Sequence, residues 1–207
     1  SKKSAYKPYN GPPRTPVQTA CDGENPLDRV KAFKTVTAEA AKKSPEQQTQ
    51  EVAELQLCYQ RETDALMRAK LLEAIASYPT ADVDSIFKSA LMDQNPAVRL
   101  SVVNAYIKRG ESAVPMLAEI ATNDSDVDVK LAAARALGEL GGKDATAALG
   151  SLLEDTNPAV QFRAMQALSD ATGKKLGNDI NAWKSYVQSG VEPKPPTFVE
   201  RITPKIF

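Results

Sequence analysis

The sequence predicts an all-α fold, a right-handed α-solenoid of about five helical hairpins with an extended arm at each end, and three observations carry that prediction. The heptapeptides ETDALMR, DQNPAVR, DSDVDVK and DTNPAVQ begin at Glu62, Asp93, Asp124 and Asp155, so they recur every 31 residues with no insertion. Twelve positions into each unit stands an alanine (Ala74, Ala105, Ala136, Ala167), followed by a large residue (Ile75, Tyr106, Leu137, Leu168). Helix punctuation falls in the same register, with Asn95-Pro96 and Asn157-Pro158 at matching starts, Pro79, Gly110 and Gly141-Gly142 at the ends, and Gly173 one position later. A fixed period of this length belongs to units that leave an apolar face bare until a neighbour stacks on it.

Taken in order, residues 1–23 are polar and rich in proline, and read as an extended tether. Residues 24–61 read as a capping hairpin. Its first helix starts after Asn25-Pro26, with Leu27, Val30, Phe33 and Val36 on one face, and its second after Ser44-Pro45, with Val52, Leu55 and Tyr59 as the apolar stripe. Four repeats then occupy 62–92, 93–123, 124–154 and 155–188. In each, a first helix is expected from about the fourth to the sixteenth position, since its apolar residues fall three or four apart. They form columns across the repeats: Met67, Val98, Val129 and Val160; Leu71, Val102, Ala133 and Ala164; Leu72, Val103, Ala134 and Met165.

The second helices carry Val83, Ile86, Phe87, Ala90 and Leu91, then Val114, Leu117, Ile120 and Ala121, then Leu149, Leu152 and Leu153. In the last repeat Leu176-Gly177-Asn178 delays the start, and Ile180, Trp183, Tyr186 and Val187 make a more aromatic stripe. Trp183 reads as a plug over the end of the core. Residues 189–207 form a Pro-rich extended tail in which Phe198, Val199, Ile202, Ile206 and Phe207 are apolar and need cover. Two destinations are open, the chain's own solenoid or another subunit, and the second is preferred as an anchoring arm.

Composition excludes several classes. Lys plus Arg number 26 and Asp plus Glu 26, and the signs are spread evenly: ten basic and seven acidic groups in 1–61, six and eight in 62–123, seven and nine in 124–188. A nucleic-acid binder needs a concentrated basic stripe, which this chain lacks. It has no histidine and only two cysteines, Cys21 in the tether and Cys58 in a predicted helix, which make no metal site. The two thiols are either unrelated or bonded. A disulfide would pin the N-terminal segment to the repeats and contribute about 3 to 4 kcal/mol, and it requires an oxidising compartment.

The best copy of the repeat runs from Asp124 to Gly141, DSDVDVKLAAARALGELG. Its pattern, an aspartate, then valine and a basic residue, then A-x-x-A-L-G-x-L-G, resembles bacterial HEAT-like repeats of the phycobilin-lyase type. Thr172-Gly173 through Gly177, Asp179 and Trp183 resembles the closing segment T-G-x-x-x-G-x-D-x-x-x-W of HEAT-repeat proteins from planctomycete-like bacteria. The resemblance implies that the aspartate and the basic residue after it bridge adjacent repeats, a role open to Asp93 with Arg99 and to Asp124 with Lys130. Asp155 is followed by Gln161 at that place, so it is expected to lack the charge pair.

Fold alone does not carry chemistry. The reading preferred is a non-catalytic scaffold or adaptor subunit, whose second helices line a concave wall for a protein partner in a multi-subunit complex. Ser85, Ser89, Met116, Ala147 and Ser151 are the residues expected on that wall, small or mixed so that a peptide or helix can come close. No catalytic, cofactor or metal residue is assigned. The alternatives are the bilin lyase or isomerase that the resemblance itself suggests, and a nucleic-acid reader of the HEAT-like glycosylase kind. The opening stretch SKKSAYKPYNGPPRTP resembles the tether after the lipidated cysteine of bacterial lipoproteins, which implies a lipid-bearing cysteine just before Ser1 and an extracytoplasmic place. A cytoplasmic chain with a disordered extension is the alternative.

Overall fold

The computed structural model describes residues 11–79 and 83–191. Phe198, Val199, Ile202, Ile206 and Phe207, named above for the tail, lie outside the described residues. The described residues are all-α and contain no strand. Their helices are α1 (Pro16–Asp22), α2 (Pro26–Glu39), α3 (Pro45–Arg61), α4 (Ala65–Ile75), α5 (Asp84–Ala90), α6 (Pro96–Ile107), α7 (Val114–Asn123), α8 (Val127–Leu140), α9 (Gly142–Leu152), α10 (Pro158–Thr172) and α11 (Ile180–Ser189). Where the sequence reading has one four-repeat body, the chain divides into two compact units, Ser1–Ala105 and Tyr106–Phe207.

Helix starts follow the local chemistry. The side chains of Asn25, Asn95 and Asn157 each accept from a backbone N–H two residues on, at 2.9 Å, ahead of a proline that has no N–H of its own to satisfy. In the two repeats that lack the proline, Asp64 accepts from Met67 and Asp126 from Asp128 and Val129. Ser44 and Gln47 form a reciprocal capping box on α3.

In the first unit, α1 packs on α2 and α3, and both of those pack on α4. The extended tether is corrected here. Thr15 and Gln18 cap each other's backbone, Pro16 occupies the first turn, and Val17 and Ala20 bury the inward face, so residues 16–22 fold as a helix. Leu27 also departs from its expected face. It stands in the first turn of α2 and is 69% exposed, while Phe33 and Val36 are buried. Tyr78, just after α4, is wholly buried and donates to Glu51 on α3 at 2.8 Å, with Lys43 on the carboxylate's other oxygen at 3.0 Å. Burial and the neighbouring Glu51 push the Tyr78 phenol far above its ordinary range.

In the second unit, α8 packs against both α7 and α10, α10 against α9, and α11 against α9 and α10. All the residues of the three expected columns are buried. Gly138 shows how close α8 and α10 come: a Cβ there would stand 2.9 Å from both Cα and Cβ of Ala167. A similar approach joins α9 to α11, where a Cβ on Gly150 would meet Val187 Cγ1 at 2.5 Å. Trp183 is fully buried, donates its indole N–H to the Gly177 carbonyl at 2.8 Å, and stands edge-on to Tyr186 at 6.0 Å between ring centroids.

Candidate interaction surfaces

The second helices place their residues by helical spacing. On α5, Ile86, Phe87 and Ala90 turn inward, which leaves Ser85 and Ser89 exposed beside the exposed Asp84 and Lys88. On α7, Leu117, Ile120 and Ala121 are buried and Met116 is half-buried. On α9, Ala145, Leu149 and Leu152 are buried, and Ala147 and Ser151 are exposed one turn apart, with the Ser151 hydroxyl donating to the Ala147 carbonyl at 3.4 Å. Met116 and Ala147 share a register position on helices that pack together, so the second unit brings them onto neighbouring elements. Ser85 and Ser89 belong to the first unit.

Ala147 also borders a groove of about 390 Å³, lined with it by Thr146, Ala171, Tyr186, Val187 and Gly190. The groove exists because Gly150 lets α11 settle against α9 while Ala147 and Ala171 are too small to fill the space above them. Several large apolar residues not foreseen as surface are exposed, among them Leu66 on α4 at 60%, Phe162 on α10 at 43% and Val127 on α8 at 37%. For Phe162 the available signal was at the eighth position of the repeat, where Leu131 and Phe162 stand 31 residues apart on the side of the helix away from the buried columns.

The acidic residue opening each repeat caps its own helix start. One oxygen accepts from the backbone N–H two residues on, from Asp64 to Glu62, Asn95 to Asp93, Asp126 to Asp124 and Asn157 to Asp155, at 2.8 to 2.9 Å. At Glu62, Asp93 and Asp155 the carboxylate also meets a basic residue from the preceding helical unit. Arg29 pairs with Glu62, Arg68 grips both oxygens of Asp93 at 2.7 and 3.0 Å, and Lys130 reaches Asp155 at 2.6 Å. These groups are largely shielded from water, with side chains between 10% and 19% exposed.

The expected pairing is corrected at Asp155. Within a repeat, Arg99 donates to the Asp93 backbone carbonyl, at 2.8 Å. Gln161 donates to the Asp155 carbonyl in the same way, also at 2.8 Å. Asp155 therefore keeps a charge pair, because its partner is the basic residue of the repeat before it. An amide can replace the guanidinium at position 161 since the carbonyl needs only one donor there.

The carboxylates titrate accordingly. At Asp93 and Glu62 burial alone would raise the pKa, but Arg68 or Arg29 and the capping N–H together outweigh it, and both lie below the usual range. At Asp155 the Lys130 hydrogen bond leads, and the pKa is again lowered. A depressed folded pKa means stability that is complete above the unfolded value, about 3.9 for Asp and 4.3 for Glu, and lost as pH falls through the folded one. Melting temperature is therefore expected to be level from pH 7 to about 5 and to fall below about pH 4. Thermal melts followed by circular dichroism check this. Asp93→Asn should show a shallower acid loss, and parallel curves for the two proteins would contradict the assignment.

In the first unit Cys21 and Cys58 form a disulfide, Cα to Cα 5.7 Å, which ties the last turn of α1 to α3. No group of three or more metal-binding side chains occurs among the described residues.

Consecutive packed helix pairs, opened at Glu62, Asp93 and Asp155 by an acid that receives a cation from the helices before it, define a helical-hairpin repeat protein. Residues 114–179, spanning α7 to the cap of α11, match the family described as HEAT repeats, so over that span the repeats are HEAT-like. Comparison with curated proteins finds no match.

Proposed function

We propose that this chain is a non-catalytic scaffold or adaptor subunit that binds a protein partner within a larger assembly. One observation carries the proposal: the HEAT-like hairpins of residues 114–179 keep their buried faces for each other and turn small or adaptable side chains outward on the second helices. Repeats of this kind commonly mediate protein association. Ala147 and Ser151 on α9, Met116 on α7, and Ser85 and Ser89 on α5 supply surfaces a peptide or helix can approach closely. The tail residues Phe198, Val199, Ile202, Ile206 and Phe207 add an apolar arm for a second subunit.

The finer affiliation follows from the residues Asp124 to Gly141 and Thr172 to Trp183: bacterial HEAT-like repeats of the phycobilin-lyase type, used here without lyase chemistry. A disulfide between Cys21 and Cys58 fits an extracytoplasmic place, since such bonds persist in oxidising compartments.

Affinity capture with the intact chain tests the reading, read out by native mass spectrometry and absorbance. A stoichiometric protein partner is expected, released when Ala147 and Ser151 are both changed to arginine and retained when exposed Glu139 on α8 is changed instead. A bound bilin chromophore, or capture indifferent to the α9 substitutions, would overturn it.

A further inference from the structure

We propose that the Cys21–Cys58 bond is a thiol-exchange site, at which an external thiol attacks Cys21, Cys58 departs as a thiolate beside Arg61, and α1 is released from α3. The bond is not sealed in a core. Both sulfur-bearing residues line two adjoining hollows of about 330 and 200 Å³, rimmed by Val17, Gln18, Asp22, Glu54, Leu57 and Arg61.

The two cysteines are unequal. Cys58 lies on the inward face of α3 and is 5% exposed, whereas Cys21 is half-buried in the last turn of α1. A nucleophile therefore meets Cys21 first. Arg61, one turn beyond Cys58, holds a guanidinium nitrogen 3.9 Å from its sulfur; its Nε donates to the Leu57 carbonyl at 3.3 Å, and its one ion pair is long and exposed, to Asp22 at 3.6 Å. A cation beside a sulfur favours its thiolate, and a better-stabilised thiolate leaves faster.

The electrons balance with thiols alone. A thiolate RS⁻ bonds to Cys21 Sγ, the S–S bond breaks, and its electron pair goes to Cys58. A second thiolate then attacks the mixed disulfide, giving the Cys21 thiolate and the oxidised disulfide of the reagent. The co-reactant class is a dithiol, small or protein-borne. Once cut, α1 is held by the burial of Val17 and Ala20, the Arg29 bond to the Ala20 carbonyl at 2.8 Å and the long, exposed Asp22–Arg61 pair, little for seven residues. A helix of that length does not persist by itself.

The experiment uses the oxidised full chain under native conditions. Glutathione, followed by acid quench and peptide mapping, is expected to give the mixed disulfide on Cys21. With dithiothreitol, reduction should scale with thiolate concentration and outrun global unfolding, and hydrogen exchange should then rise in α1 while α3 and α4 stay protected. Arg61→Gln should slow cleavage about two- to fivefold, with Arg61→Lys near the wild-type rate. Asp22→Asn, which also breaks the Arg61 pair, controls for that contact and should not slow it. Adduct on Cys58, reduction at a thiol-independent rate equal to unfolding, or an Arg61→Gln rate like wild type would each overturn the proposal.

Discussion

Replacing Trp183 by alanine is expected to destabilise the second unit by about 3 to 5 kcal/mol, the cost of emptying a fully buried aromatic site. Most of that is packing. The Gly177 carbonyl that loses the indole N–H lies at an exposed residue, where water replaces the donor. Trp183→Phe keeps a ring for the edge contact with Tyr186 and should lose about half as much. Urea unfolding followed by far-ultraviolet circular dichroism is the check, because the chain has one Trp and its fluorescence disappears with the substitution. A loss below about 1 kcal/mol would mean that the aromatic stripe of α11 does not close the core.

Gly138→Leu is expected to be of similar size and opposite cause. The added atoms would begin 2.9 Å from the Cα and Cβ of Ala167 and 3.0 Å from its carbonyl oxygen, all part of or fixed to the α10 backbone, which cannot rotate away as a side-chain tip can. Overpacking of this kind costs about 1 to 3 kcal/mol or more, against a helix-propensity gain of about 0.8 kcal/mol from removing a mid-helix glycine. Gly138→Ala should therefore still lose about 1 kcal/mol, and Gly138→Leu about 3. The comparison matters because an exposed helix would gain from both changes. If Gly138→Ala stabilises the protein, α8 and α10 do not approach as described.

The same geometry explains what could be read in advance. The helix starts were legible because asparagine or serine followed by proline is a local signal, and the structure begins α2, α3, α6 and α10 at those prolines. Column membership was legible because burial repeats with the period: Val98, Val129 and Val160 occupy one position and all are buried.

Other features needed more than periodicity. Helix α1 has seven residues, too few for a stripe, and the nearby Pro12, Pro13 and Gly23 argued for loop. Its Thr-Pro-Val-Gln start was nevertheless a capping box with proline in the first turn. The exposure of Leu27 could not be read from spacing, since a first-turn residue lies at the edge of the helix's contact with its neighbours. Gly138 stood in the sequence only as part of the repeat motif and proved to be a contact point. The partner of Asp155 was missed because it sits 25 residues back, across the step between repeats, while the motif invites pairing six residues forward. The outward-facing residues of α5, α7 and α9 were placed by elimination, the buried positions being strongly marked, but nothing in their own types names what meets them.

The hand-off of charge from one repeat to the next is tested most directly by a double-mutant cycle on Lys130 and Asp155, built from Lys130→Met, Asp155→Asn and the pair. Equilibrium unfolding at pH 7 should give a coupling energy of about 1 to 3 kcal/mol, that of a shielded, charge-assisted hydrogen bond. Single effects that add to within about 0.3 kcal/mol would contradict it, and with it the account of how successive hairpins hold register.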